Sequence, residues 1–259
     1  MSRRHVTFAC EGVQLVGSID SADGTTGLLI VSGGNELRAG TFAGQATLAQ
    51  RIASEGFPAF RFDRRGTGDS EGENGSFRSS GPDLAAAIGA FKAECPQLER
   101  IVAFGNCDAA SALVLNEGAG CDSLVLSNPW TFDDNSDDDL PSGDAIRSRY
   151  ADKLRNPKEL KRLLTGKVNL SGILKGVLKS MGGEETPSSL AGEMAEAIAK
   201  LGMPFTVLIA GNDRTGLAFA KDWNGPKEGL LTCKGASHAY AEPHAQEWLA
   251  ERILAALRV

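Results

Sequence analysis

The sequence predicts an α/β chain: a mostly parallel twisted sheet flanked by helices, with a helical insertion after the sixth strand. Three observations predict it. Apolar runs such as Gly27-Leu28-Leu29-Ile30-Val31 and Ile101-Val102-Ala103-Phe104 are short and uninterrupted, as in strands buried on both faces. They alternate with stretches of helical spacing, which is how parallel strands are connected. From Thr131 to Gly202 the alternation lapses into helical patterns alone, and then it resumes. A stretch of that length between two core strands reads as an inserted cap rather than a loop.

In order, His5–Phe8 and Val13–Ile19 read as two short strands turned at Glu11-Gly12. Gly27–Gly34 is the first fully apolar strand, ending in small residues. Thr41–Glu55 has helical spacing through Phe42, Leu48 and Ile52 and stops at Gly56. Phe57–Asp63 is a strand, and Arg64–Ser70 a Gly-rich loop after it. Asp83–Glu94 reads as helix, Arg100–Phe104 as strand, Ala109–Glu117 as helix and Ser123–Trp130 as the sixth strand. Amphipathic stretches at Asp144–Leu154, Pro157–Leu164, Leu170–Lys179 and Leu190–Leu201 make up the expected cap. Pro204–Ala210 and Gly229–Cys233 are the last strands, and Pro243–Leu257 the last helix. Residues 1–130 and 203–259 would form the core, and 131–202 the cap.

Composition narrows the function classes. Hydrophobic residues make up 42% of the 259 and charged residues 23%, ordinary for a globular chain with room for one large domain and an insertion. No apolar run approaches the roughly 20 residues of a membrane-spanning helix. The start, Met1-Ser2-Arg3-Arg4-His5, leads into strand-like alternation rather than the apolar stretch of a secretion signal. Five unclustered cysteines argue against a disulfide framework and a zinc site, and for a reducing cytoplasm. A net charge of −6 argues against nucleic acid as a partner. The acidic run Asp133–Asp139 lacks the glycine and distal glutamate of a calcium loop, so no metal and no cofactor are expected. Oligomeric state is not legible.

The chemistry centres on Gly105-Asn106-Cys107-Asp108-Ala109-Ala110. A strand breaking sharply into a helix, with small residues around a nucleophile, is the context of a nucleophile elbow. Here cysteine stands where G-x-S-x-G has serine, and alanine stands where it ends in glycine. A buried core thiol is the alternative. The base and acid argue for the elbow. Of three histidines, His238 follows the final strand, and Asp213 follows the strand before it, so nucleophile, acid and base run in the order Cys107, Asp213, His238. All three fall at carboxyl ends of parallel strands, where crevices form. An oxyanion hole would take the N–H of Asp108 and one from Ser32-Gly33-Gly34-Asn35, with Gly34 ahead of Asn35. Trp130, ending the sixth strand, is a candidate substrate contact. A formal G-x-S-x-G at Gly68-Asp69-Ser70-Glu71-Gly72 fails the context test, since the strand ends at Asp63 and no helix follows. Asp63, Arg65 and Asp69 are expected to form a structural network beneath the site.

Four segments together carry a resemblance: Gly33-Gly34-Asn35, Phe62-Asp63-x-Arg65-Gly66-x-Gly68-Asp69-Ser70, Gly105-x-Cys107-Asp108-Ala109-Ala110 and Asn128-Pro129-Trp130. From about Gly27 onward the chain resembles the α/β-hydrolase superfamily. Within it, the chain is similar to the hydrolases associated with the exosortase A system of Gram-negative bacteria, which are encoded near exopolysaccharide and protein-sorting genes. The resemblance implies an α/β-hydrolase fold with Cys107, Asp213 and His238 as nucleophile, acid and base. Ser32 departs from it where many members have His, and Ala109 where the motif has Gly.

Both a helix N-terminus and a neighbouring imidazolium favour the thiolate form of a cysteine. The expected activity is hydrolysis of an ester, thioester or lactone through a thioester acyl-enzyme. Entry of another hydroxyl or an amine in place of water would make the same site an acyltransferase. A binding module on a hydrolase scaffold is the non-enzymatic alternative. Between Arg147 and Lys179 stand ten basic residues and two acidic ones, a charge of about +8. A solvated helical face is the default explanation. The other is a basic lid for an anionic acyl substrate, with Arg147, Arg149 and Tyr150 at its entrance.

Overall fold

The computed structural model describes residues 2–132, 189–225 and 229–259. Its strands are β1 (Arg3–Cys10), β2 (Val13–Asp20), β3 (Thr26–Val31), β4 (Ala59–Phe62), β5 (Arg100–Asn106), β6 (Ser123–Ser127), β7 (Phe205–Ala210) and β8 (Leu230–Cys233). Its helices are α1 (Gly44–Ser54), α2 (Gly81–Glu94), α3 (Asp108–Leu115), α4 (Ser189–Lys200), α5 (Arg214–Lys221) and α6 (Pro243–Leu257). The strands form one sheet in the order β1-β2-β4-β3-β5-β6-β7-β8. β1 and β2 pair antiparallel, as do β2 and β4, and every later pairing is parallel.

Uninterrupted apolar strands need cover on both faces, and this sheet has it. On β5, Ile101 and Ala103 point into one core cluster, while Val102 and Phe104 point into another. The first cluster takes Leu84 and Phe91 of α2, Leu113 of α3, and Leu190 and Met194 of α4. The second takes Leu48 and Ile52 of α1 and Leu249 and Ile253 of α6. The sequence grouped the helix at 190–201 with the insertion, but α4 packs into the core. No helix among the described residues is long and apolar enough to cross a membrane.

The strand order creates the crevice. From β3 the chain moves to β4 on one side and returns as β5 on the other, so connections at the carboxyl ends of β3 and β5 diverge. Val31 of β3 is in register with Gly105 of β5, which sets the loop after β3 beside the elbow after β5.

Three elements differ from the sequence reading. The sixth strand stops at Ser127 rather than Trp130, because Asn128 turns to φ +43°. Phe42 and Ala43 sit at φ +53° and +57°, which splits a tight turn from α1. The helix α5 was not anticipated: Thr215 and Gly216 are poor helix formers within eight residues, and a side-chain cap supplies what propensity does not. The stretches expected to be helical between 144 and 179, and the acidic run 133–139, lie outside the described residues.

Candidate active site

Cys107 sits between β5 and α3 with φ +63° and ψ −129°. Such a conformation is strained for a residue with a Cβ and persists only when its surroundings impose it. They do so here through hydrogen bonds: the Cys107 N–H donates to Ser127 O at 2.9 Å, and its carbonyl accepts from Ala110 N at 3.1 Å and Trp130 N at 3.3 Å. The flanking small residues have a steric reason. A Cβ on Gly105 would lie 2.8 Å from the backbone of Ala109 and Ala110, so strand and helix could not approach as they do. The thiol of Cys107 is half-buried, while Cys10, Cys95, Cys121 and Cys233 are buried.

His238 and Asp213 arrive from the ends of β8 and β7. His238 Nδ1 lies 3.0 Å from Asp213 Oδ1. Side-chain hydrogen bonds, to Asp213 first and to Cys107 second, push the imidazole up to about 10 against the opposing effect of burial. Asp213 has two duties, because its Oδ2 accepts the Gly216 N–H at 2.9 Å and caps α5. The structure therefore brings together the three residues that the sequence placed at separate strand ends. The other histidines are engaged elsewhere: His5 with Ser18 Oγ at 2.8 Å and His244 with Lys234 O at 3.0 Å.

Two asparagines that the sequence reading quoted without giving them a role tie these parts together. Asn106 Nδ2 donates to the His238 carbonyl at 3.1 Å, and Asn106 Oδ1 accepts from Asn128 Nδ2 at 2.9 Å. Asn128, fully buried, also accepts the Ala210 N–H at 2.8 Å and donates to Ser127 Oγ at 3.2 Å. Ser127 Oγ in turn meets Tyr240 OH at 2.9 Å. One chain of bonds thus joins the elbow, the ends of β6 and β7, and the histidine loop. Asn-Pro after a strand reads as a turn, and nothing in that local pattern carries the bonds that Asn128 makes.

The oxyanion candidates divide. The N–H of Asp108, in the first turn of α3, has no intrahelical partner by its position. The Gly34 N–H is engaged, donating to Asp108 Oδ1 at 2.6 Å. Asn35 lies beside it, its Oδ1 accepting from Asn74 Nδ2 at 2.8 Å. Trp130 is held near the elbow by its N–H bond to Cys107, and its carbonyl accepts from Ser111 Oγ at 2.7 Å. Arg147, Arg149 and Tyr150 lie outside the described residues. Ser32 donates to Gln45 Oε1 at 2.9 Å.

The Gly-rich loop after β4 is a brace. Arg38, not singled out from sequence, pairs with buried Asp63 and, at 2.9 Å, with Asp69. Arg65 leaves that set and instead bonds Asp83 at 2.5 Å and Glu11 at 2.8 Å. Ser70 is committed to the Val16 N–H at 2.9 Å and the Asp63 carbonyl at 2.7 Å. A cavity of about 490 Å³ beside Arg64 is lined by Arg65, Ser80 and Asp83 among others, and by no member of the Cys–His–Asp set.

Solved structures match this architecture over nearly its whole length. An esterase of Pyrococcus furiosus superposes with a TM-score of 0.64 at 16% identity, covering 97% of this chain and 88% of that one. An α/β-hydrolase of a Penicillium species reaches 0.64 at 17% identity over 100% and 98% of the two chains. The chain has the α/β-hydrolase fold. An α/β serine hydrolase homologue of Coxiella burnetii matches it at 0.60 and 17% identity over 99% and 98%. No protein-family model and no curated protein sequence matches the chain. At such identities the likeness is one of fold, so function on this α/β-hydrolase fold has to be argued from the site.

Proposed function

We propose that the chain is a hydrolase that cleaves an ester, thioester or lactone through a Cys107–His238–Asp213 triad. What supports this most is one observation: the half-buried Cys107 at a strained strand–helix turn and the Asp213 carboxylate both hydrogen-bond His238, with Asp213 Oδ1 3.0 Å from Nδ1. His238 takes the thiol proton, and Asp213 orients and stabilises the imidazolium. The thiolate attacks the acyl carbon, and the carbonyl π pair moves onto oxygen. Collapse expels the alcohol or thiol, which takes its proton from His238, and leaves a thioester on Cys107. Water then enters with His238 as base, and the acid is released with Cys107 restored. An amide is a poor substrate for this site, since a thiolate leaves the tetrahedral intermediate more readily than an amine.

The finer likeness to the exosortase A-associated hydrolases rests on the sequence motifs. The basic segment 147–179 favours an anionic acyl substrate. Transfer to a hydroxyl or amine acceptor is a second outcome of the same thioester. A binding role without chemistry is the reading to be excluded.

The test is covalent trapping. Wild type, Cys107→Ala and His238→Ala are mixed with a short-chain p-nitrophenyl ester, and their intact masses are recorded. An acyl mass on wild type that persists on His238→Ala and is missing from Cys107→Ala is expected. Labelling of Cys107→Ala rejects the nucleophile assignment.

A further inference from the structure

The backbone donor that the sequence nominates for the oxyanion hole is occupied by the protein itself. Asp108 Oδ1 accepts the Gly34 N–H at 2.6 Å. Asp108 Oδ2 accepts from Arg64 Nη2 at 3.1 Å, and the same Nη2 donates to the Gly34 carbonyl at 2.7 Å. Arg64 is anchored in turn by its Nη1, which donates to Ser80 Oγ at 3.1 Å. One ion pair, with side chains 3% and 14% exposed, thus holds Gly34 by both its N–H and its C=O. Gly33 makes room for it, because a Cβ there would lie 2.5 Å from Asp108 Oδ1. The carboxylate is seated on the loop after β3, beside the nucleophile that precedes it in the chain.

We propose that Asp108 and Arg64 form a latch that holds the oxyanion hole half closed until the transition state. This rests on Cys107 as the nucleophile. A carboxylate outcompetes a neutral carbonyl oxygen for an N–H, because hydrogen bonds to a charged partner are about twice as strong. A bound substrate therefore meets an occupied donor. In the tetrahedral intermediate, the carbonyl π pair has become a full negative charge on oxygen, and this oxyanion competes with Asp108 on even terms. The Gly34 N–H passes from Asp108 Oδ1 to the oxyanion, Asp108 stays paired with Arg64 through Oδ2, and no proton moves in the exchange. The latch adds to the barrier of acylation. Acyl groups whose carbonyl carbon accepts charge readily pass it best, so Asp108 biases the site toward thioesters and activated esters.

The experiment follows acylation of Cys107 by a p-nitrophenyl ester in rapid mixing, with intact mass to identify the adduct, for wild type, Asp108→Ala and Asp108→Asn. Asp108→Ala is expected to acylate about tenfold faster, a barrier lower by ~1.4 kcal/mol. Asp108→Asn keeps the shape without the charge and should gain a few-fold. Thermal melting identifies a variant that fails to fold, and the asparagine variant then carries the test with the same sign. Unchanged or slower acylation in a folded variant overturns the latch and makes Asp108 a support for the loop. A wild type with no adduct on Cys107 removes the nucleophile assignment and the latch with it.

Discussion

Holding a residue with a Cβ at the backbone angles of Cys107 costs roughly 1–3 kcal/mol. Cys107→Gly should therefore be more stable than Cys107→Ala by about 1 kcal/mol in urea denaturation, while both lose all acylation. Gly105→Ala should cost about 1–3 kcal/mol, because its Cβ meets backbone, which cannot move aside as a side-chain tip can. His238 gives a pH signature. Its imidazole is raised from 6.5 to about 10, so the folded state holds the proton more tightly than the unfolded chain does. The stability so contributed is complete below pH 6.5 and is lost as pH rises through about 10. Asp213→Asn removes the leading cause of the shift. Over that window wild type should lose melting temperature more steeply than Asp213→Asn, and parallel slopes would contradict the pairing.

At the scale of elements, three loops held in common bring Cys107, Asp213 and His238 together. Asn128 joins β6, β7 and the elbow, and Asn106 passes that connection to the backbone of His238. Asn128→Ala would strand the buried Ala210 N–H and remove the donor to Asn106 Oδ1, each loss worth about 1–3 kcal/mol. The expected result is a stability loss of roughly 2–5 kcal/mol in urea denaturation, together with a lower kcat as the histidine loop loosens. Unchanged stability would mean that the network is dispensable. Asp213 shows why a catalytic candidate is safest at an element boundary: the cap on α5 fixes the carboxylate that meets His238.

For the whole molecule, the two-sided core decides which thiols are reachable. Burial pushes the Cys10, Cys95 and Cys233 thiols up, and carries Cys121 to about 12. An aromatic disulfide reagent should therefore modify one of the five cysteines quickly in the native protein and all five in urea. Peptide mapping should assign the fast one to Cys107. Rapid modification of a second cysteine would mean that the sheet is less well covered than its helices imply.

What the sequence determined by itself was periodic or local. Apolar runs marked β3, β5, β6 and β7, small residues marked the turn after β5, and chain order put Cys107, Asp213 and His238 at separate strand ends. These signals are legible because burial on both faces and tight turns restrict residue type within a few positions of the chain. The partnerships were decided only in three dimensions. Arg38 rather than Arg65 closes on Asp63, Asn128 serves as the hub of the site, α4 joins the core, and Asp108 occupies the Gly34 N–H. Gly34 and Asp108 lie far apart in the chain and meet only because β3 and β5 pair in register. A hydrogen bond across such a distance is written in sheet topology, and no local pattern of residues carries it.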